Sequence, residues 1–224
     1  MAQFTRLQVA QKMHDTGMVP VFYHRDAAVC QDVLRACYAG GARVFEYTNR
    51  GDFAHETFAQ LVRFCAAELP GMMLGIGSVV EAGTAALYLQ LGANFIVSPG
   101  IHEDMARTCH RRKVLWIPGC GSINEIGQAE ALGAEIVKMF PGAQVGGPKF
   151  VAAVKAPCPW TSIMPTGGVE PTEESLRAWF EAGVVCVGIG SQLVTSQVLE
   201  QRDYAQLTAK TAQVLGWIQQ YKKA

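Results

Sequence analysis

Strand-length apolar runs alternate with helix-length amphipathic stretches along this chain, and that alternation limits its fold more than any other feature. Runs of strand character occupy Met18 to Tyr23, Arg43 to Thr48, Met72 to Gly77, Asn94 to Ser98, Val114 to Pro118, Glu135 to Phe140, Ser162 to Pro165 and Val184 to Ile189. Helical patterns fill Ala27 to Ala39, His55 to Glu68, Val80 to Leu91, Glu103 to Arg111, Ile123 to Leu132, Gly146 to Val154 and Glu173 to Ala182. Several helix ends run into glycine and then directly into the next strand, as at Ala39-Gly40-Gly41, Leu91-Gly92-Ala93, Leu132-Gly133-Ala134 and Ala182-Gly183-Val184. Glycine there lets the chain leave a helix through the left-handed region. Eight strands, seven intervening helices and a closing helix at Asp203 to Tyr221 fit an α/β fold, one (β/α)8 TIM barrel domain over residues 1–224. An amphipathic N-terminal helix at Phe4 to His14 is placed to cap the barrel floor. An open doubly wound sheet is the alternative, but the first strand-to-helix turn, Tyr23-His24-Arg25-Asp26, lacks the G-x-G-x-x-G loop of a dinucleotide fold.

Within the sixth strand, Glu135-Ile136-Val137-Lys138-Met139-Phe140-Pro141, one lysine interrupts a segment apolar on both faces. Strand neighbours point to opposite sides, so Ile136, Lys138 and Phe140 share one face and Val137 and Met139 the other. Burial disfavours a charged ammonium and favours the neutral, nucleophilic amine that attacks a ketone to form a Schiff base. An ordinary lysine at a strand end would instead snorkel its head into water. On the second strand Val44, Glu46 and Thr48 share a face opposite Phe45 and Tyr47, which turns Glu46 into the lumen. A buried carboxylate needs a counter-charge or a task, and Lys138, Arg50 and Arg43 are the available cations.

Barrel chemistry sits at the C-terminal ends of the strands. Those ends read Gly75-Ile76-Gly77-Ser78, Val97-Ser98-Pro99-Gly100 and Ile117-Pro118-Gly119, small and rigid residues that leave room for a ligand. Strands seven and eight end in Pro165-Thr166-Gly167-Gly168 and Gly188-Ile189-Gly190-Ser191, where glycine lets backbone N–H groups approach an anion such as a phosphate.

These segments, with Glu46-x-Thr48-x-Arg50 and Val137-Lys138-Met139-Phe140-Pro141, resemble in order the signature of the bacterial 2-keto-3-deoxy-6-phosphogluconate (KDPG) and 4-hydroxy-2-oxoglutarate (KHG) aldolases, from about Val19 to about Leu193. The resemblance implies a class I pyruvate aldolase needing no metal or cofactor, usually a homotrimer, cytoplasmic and serving Entner–Doudoroff carbohydrate metabolism. It implies Lys138 as the Schiff-base lysine and Glu46 as the acid/base, with Arg50, Thr48, Ser78, Pro99, Phe140 and Thr166 around the pyruvyl end. Gly167, Gly168, Gly190 and Ser191 fall at the phosphate-binding positions. The chain departs from the family pattern at Ser78, where threonine is more usual, at Gly142-Ala143, and at Asn49, where an aliphatic residue is frequent. Arg25 is left between a substrate contact and a helix cap, and Lys149 between a phosphate contact and a solvated lysine.

Composition agrees with a small-molecule enzyme. Nineteen basic and 19 acidic residues cancel, which argues against nucleic-acid or membrane partners and for a small ligand; the resemblance implies that this is a 2-keto-3-deoxy sugar acid phosphate, with pyruvate as product. The seven cysteines show no C-x-x-C spacing and no signal peptide precedes them, so they read as reduced core thiols; the five histidines show no metal-ligand spacing. A phosphosugar epimerase or isomerase, with Lys138 only an electrostatic contact, and a catalytically silent phosphate-binding barrel are the alternatives.

Overall fold

The computed structural model describes residues 1–222, so the last two positions of the expected 1–224 domain lie outside the described residues. Helix α1 (Arg6–Thr16) leads into β1 (Met18–Phe22) and α2 (Ala27–Ala39). The alternation continues through β2 (Val44–Thr48), α3 (Ala54–Glu68), β3 (Met73–Gly77), α4 (Ala82–Leu91), β4 (Phe95–Ser98), α5 (Glu103–Arg111), β5 (Leu115–Cys120) and α6 (Ile123–Ala131). Next come β6 (Val137–Met139), α7 (Gly142–Val145), α8 (Gly147–Lys155), β7 (Ile163–Pro165), α9 (Glu173–Glu181), β8 (Val187–Ile189), α10 (Ser196–Gln201) and α11 (Tyr204–Tyr221). The eight strands pair in parallel in the order β7-β6-β5-β4-β3-β2-β1-β8. A parallel bridge between Thr166 and Gly188 and a Val185 N–H bond to Ile163 O at 3.1 Å bring the two edge strands together, giving a nearly closed TIM-barrel-like fold.

Strand alternation decides what faces the lumen. Val19, Val44, Met73, Phe95, Leu115, Ile136, Met164 and Cys186 form one inner cluster, and Val9 and Met13 of α1 pack into it. The N-terminal helix therefore plugs the barrel floor, as its amphipathic pattern suggests. It is held at its start by a capping box, in which Gln8 N–H donates to the Thr5 hydroxyl while the Gln8 side chain accepts from Thr5 N–H. Phe45, Tyr47, Trp116, Val137 and Met139 belong instead to the outer layer between sheet and helices. A Cβ at Gly75 would collide with the Phe95 ring, so that glycine gives the lumen its room for an aromatic.

The regular strands β6 and β8 are shorter than their apolar runs suggest, because burial continues past the ladder hydrogen bonds into Ile136 and Val184. The helices α7 and α10 are additions to the expected order. At four and six residues they are too short to show a helical period, although Thr195 caps α10 by accepting from Val198 N–H at 3.3 Å.

Candidate active site

Lys138 stands on β6 level with Gly119 of β5 and Met164 of β7, in a lumen that is otherwise apolar below it. Its side chain is 8% exposed and that of Glu46 1%, and the Lys138 Nζ to Glu46 Oε1 distance is 4.0 Å. At that separation the two groups attract but do not hydrogen-bond, so each keeps capacity for a third atom. Nζ also lies 4.9 Å from the centre of the Phe140 ring, a cation–π distance. Burial pushes the Glu46 carboxyl above its usual value, while the charges of Lys138 and Arg50 pull it part of the way back.

Glu46 fits because the neighbouring strand carries glycine. A Cβ on Gly77 would lie 2.5 Å from Glu46 Cδ and would collide with Oε1. On the other side of the lumen, a Cβ on Gly119 would run into the Pro99 carbonyl, so the β4 turn rests directly on the β5 backbone beside Lys138. Three buried polar atoms, Glu46 Oε2, Thr48 Oγ1 and Thr166 Oγ1, have no hydrogen-bond partner among the described residues. Unpaired buried polar groups are costly, and a cluster of them at a strand-end mouth marks a place where a ligand or water completes the bonding.

A cavity of about 490 Å³ opens over this end of the barrel. Thr48, Arg50, Phe140 and Thr166 line it, as do Gly167, Gly168, Gly190 and Ser191. The structure thus brings these eight expected residues to one space. Lys138 and Glu46 do not line this cavity themselves but adjoin residues that do: Phe140, whose ring lies 4.9 Å from Lys138 Nζ, and Thr48, on the same face of β2 as Glu46. Ser78 lies off the cavity wall and accepts from Arg50 Nε at 3.5 Å, and Pro99 also lies off the wall, its carbonyl set against Gly119. Gly167 and Gly168 both hold positive φ, 90° and 77°, and their carbonyl side is tied down: Gly142 N–H donates to Thr166 O at 2.9 Å and Ala143 N–H to Gly167 O at 3.0 Å. Helix α7 therefore fixes the shape of the β7 loop.

Arg25 is exposed and does not line the cavity; Asp26 caps α2 by accepting from Ala28 N–H at 2.8 Å. Lys149 is a solvated lysine at the start of α8. Reasoning from sequence missed Phe22, Val169, Gln192, Val194, Ser196 and Leu199, which also line the cavity, as does Tyr23 at the first strand end. Ser196 and Leu199 arrive on α10, and the Thr195 capping position was the available signal for that helix. All seven cysteines are free; burial pushes six of the thiols, at Cys30, Cys37, Cys65, Cys109, Cys120 and Cys186, up to about 12, which keeps them inert. No cluster of three or more potential metal ligands occurs among the described residues.

Comparison with known proteins gives the arrangement its context. A KDPG and KHG aldolase family model matches residues 9–210. The 2-dehydro-3-deoxy-phosphogluconate aldolase of Pseudoalteromonas atlantica is 31% identical over 198 residues, 88% of this chain and 89% of that protein. The KHG/KDPG aldolase of Escherichia coli is 31% identical over 201 residues, 89% of this chain and 91% of its own length. A crystal structure of the Zymomonas mobilis 2-keto-3-deoxy-6-phosphogluconate aldolase with 3-phosphoglycerate superposes with a TM-score of 0.81 at 26% identity, covering 98% of both chains. With strand order, lumen lysine and family match in agreement, the chain belongs to the KDPG and KHG aldolase family, whose members are aldehyde-lyases.

Proposed function

We propose that this protein is a class I pyruvate aldolase that cleaves KDPG to pyruvate and glyceraldehyde 3-phosphate, and KHG to pyruvate and glyoxylate by the same steps. The observation that carries this reading is the pair at the bottom of the mouth: a buried lysine 4.0 Å from a buried carboxylate, beside a cavity lined by polar strand ends. Lys138 adds to the C2 ketone of the substrate, and loss of the carbonyl oxygen as water leaves an iminium that serves as the electron sink. Glu46, directly or through a water, takes the proton of the C4 hydroxyl. The C3–C4 bond breaks, its electron pair moves into the iminium to give an enamine, and the aldehyde leaves. The proton then returns to C3, and hydrolysis of the iminium frees pyruvate and Lys138. A base with a pKa raised toward neutrality suits this exchange, because it must both accept and return a proton.

Arg50 and Thr166 take the substrate carboxylate end in this account, with Thr48 and Phe140 shaping the wall and Ser78 supporting Arg50. The backbone of Gly167, Gly168 and Gly190 and the hydroxyl of Ser191 take the distal phosphate. The chain acts as one barrel domain, assembles as a homotrimer and works in the cytoplasm in Entner–Doudoroff metabolism; its seven free cysteines support a reducing compartment. No helix among the described residues is long and apolar enough to cross a membrane.

Pyruvate release from KDPG, followed with a coupled lactate dehydrogenase, tests the reading. The expected result is metal-independent release that is faster for the phosphorylated than for the unphosphorylated sugar acid. Turnover to an epimer without pyruvate would establish the epimerase alternative instead. Equal rates for the two sugar acids would remove the phosphate assignment alone.

A further inference from the structure

Arg50 has little to hold its side chain. It is exposed, lines the cavity, and its one side-chain hydrogen bond among the described residues is the long bond to Ser78 at 3.5 Å. The backbone that carries it is, by contrast, fixed on both sides. Asn49 N–H extends the β2–β3 ladder by donating to Gly77 O at 2.8 Å, and Arg50 N–H turns back to Thr48 O at 3.0 Å. That i to i+2 bond is a γ-turn centred on Asn49, a common way to end a strand.

Two tyrosines from other elements grip this turn. The Tyr88 hydroxyl of α4 donates to Asn49 Oδ1 at 2.7 Å, and the Tyr88 ring is itself buried, edge-on to Phe58 at 5.1 Å between centres. From the end of β1, Tyr23 lies over the residue on the other side of Arg50. A Cβ on Gly51 would sit 2.9 Å from Tyr23 Cζ and would collide with the hydroxyl. Tyr23 is backed in turn by Tyr47, with ring centres 5.6 Å apart. Asn49, one of the positions where the chain departs from its family pattern, is thus the acceptor that joins Arg50 to the helix layer.

We infer that Tyr88, acting through Asn49, and Tyr23, packed on Gly51, are positioning residues that aim Arg50 at the carboxylate of the 2-keto acid. The inference rests on the role proposed above for Arg50. Holding the turn rather than the flexible side chain limits the arc the guanidinium can sweep, so less freedom is lost when substrate binds.

The test is a double-mutant cycle on the folded enzyme with Tyr88→Phe, Asn49→Leu and Arg50→Ala, reading KM and kcat separately. Tyr88→Phe keeps the ring and removes only the hydroxyl donor. Loss of one hydrogen bond of this kind is expected to raise KM about three- to tenfold with kcat little changed. In the Arg50→Ala background the same substitution is expected to do nothing further to KM. An unchanged KM for Tyr88→Phe in the parent enzyme, or an equal rise with and without Arg50, overturns the inference. If Arg50→Ala itself leaves KM unaltered, the carboxylate role of Arg50 fails, and that outcome is distinct because it appears without touching either tyrosine. Should Tyr88→Phe not fold, Asn49→Leu removes the same bond from the loop side and carries the same expectations. On the other flank, Gly51→Ala and Tyr23→Ala are each expected to raise KM, and Gly51→Ala to add nothing further once Tyr23 is already alanine; independent, additive rises count against the Tyr23 contact.

Discussion

Replacing Gly77 with alanine tests the geometry of the proposed acid/base group, Glu46, without altering one of its atoms. Gly77 is the last residue of β3 and its φ lies outside the positive region, so alanine meets no backbone strain. The new methyl would fall 2.5 Å from Glu46 Cδ, and ordinary contact requires the carboxyl to retreat by about 1 Å. Glu46 already sits 4.0 Å from Lys138 with its side chain 1% exposed, so a shift of that size alters its placement against the lysine. A displacement of about 1 Å at a reacting group costs roughly a hundredfold in rate, whereas complete loss of a general base costs roughly a hundred- to ten-thousandfold. Gly77→Ala should therefore lower kcat by about two orders of magnitude, against a floor set by Glu46→Gln. KM should stay within about threefold, since Arg50 and the cavity glycines are untouched. Steady-state kinetics of pyruvate release, with thermal melting to confirm folding, measures both numbers. A Gly77→Ala enzyme that folds and keeps the parent kcat would refute the role given to the Glu46 carboxylate.

The raised Glu46 pKa predicts the acid limb of the pH profile: the base works only when ionised, so kcat/KM should fall as pH drops through a midpoint above the ordinary carboxyl value of about 4. Glu46→Gln should flatten that limb at a much lower rate, and a limb that survives the substitution would assign it to another group. Gly168→Ala places a methyl against Ala143 at a residue with φ of 77°, so it should raise KM for the phosphorylated substrate at least tenfold in relative terms, to about the level of the unphosphorylated one. An unchanged preference in kinetics with both substrates would remove the β7 loop from phosphate recognition. At the other end of the barrel, Met13→Ala should cost about 2–5 kcal/mol in urea unfolding while kcat stays at the parent value, because Met13 is fully buried in the floor and does not line the cavity.

The barrel was legible because each strand and helix repeats the same local grammar. Gly92 and Gly133, for example, take positive φ at the helix ends where the sequence places them, with φ of 104° and 87°. The lumen pair was legible for a related reason: a period of two places Lys138 and Glu46 inside once their apolar neighbours are assigned outside. Their 4.0 Å separation was not, since it depends on the bare edge of Gly77 and on strand stagger, both of which are properties of neighbouring strands. The cavity wall contributed by α10 escaped because six residues show no hydrophobic period and their position is set by tertiary packing. The clamp on Arg50 also depends on a contact 39 residues apart in sequence, between Tyr88 and Asn49, which no local pattern announces.

Borohydride reduction in the presence of pyruvate, followed by peptide mapping in a mass spectrometer, addresses the central claim most directly. The account predicts one reduced pyruvate per chain, attached to Lys138, and none in Lys138→Met. Absence of an adduct under reducing conditions, or an adduct carried by another lysine such as Lys149, would contradict it.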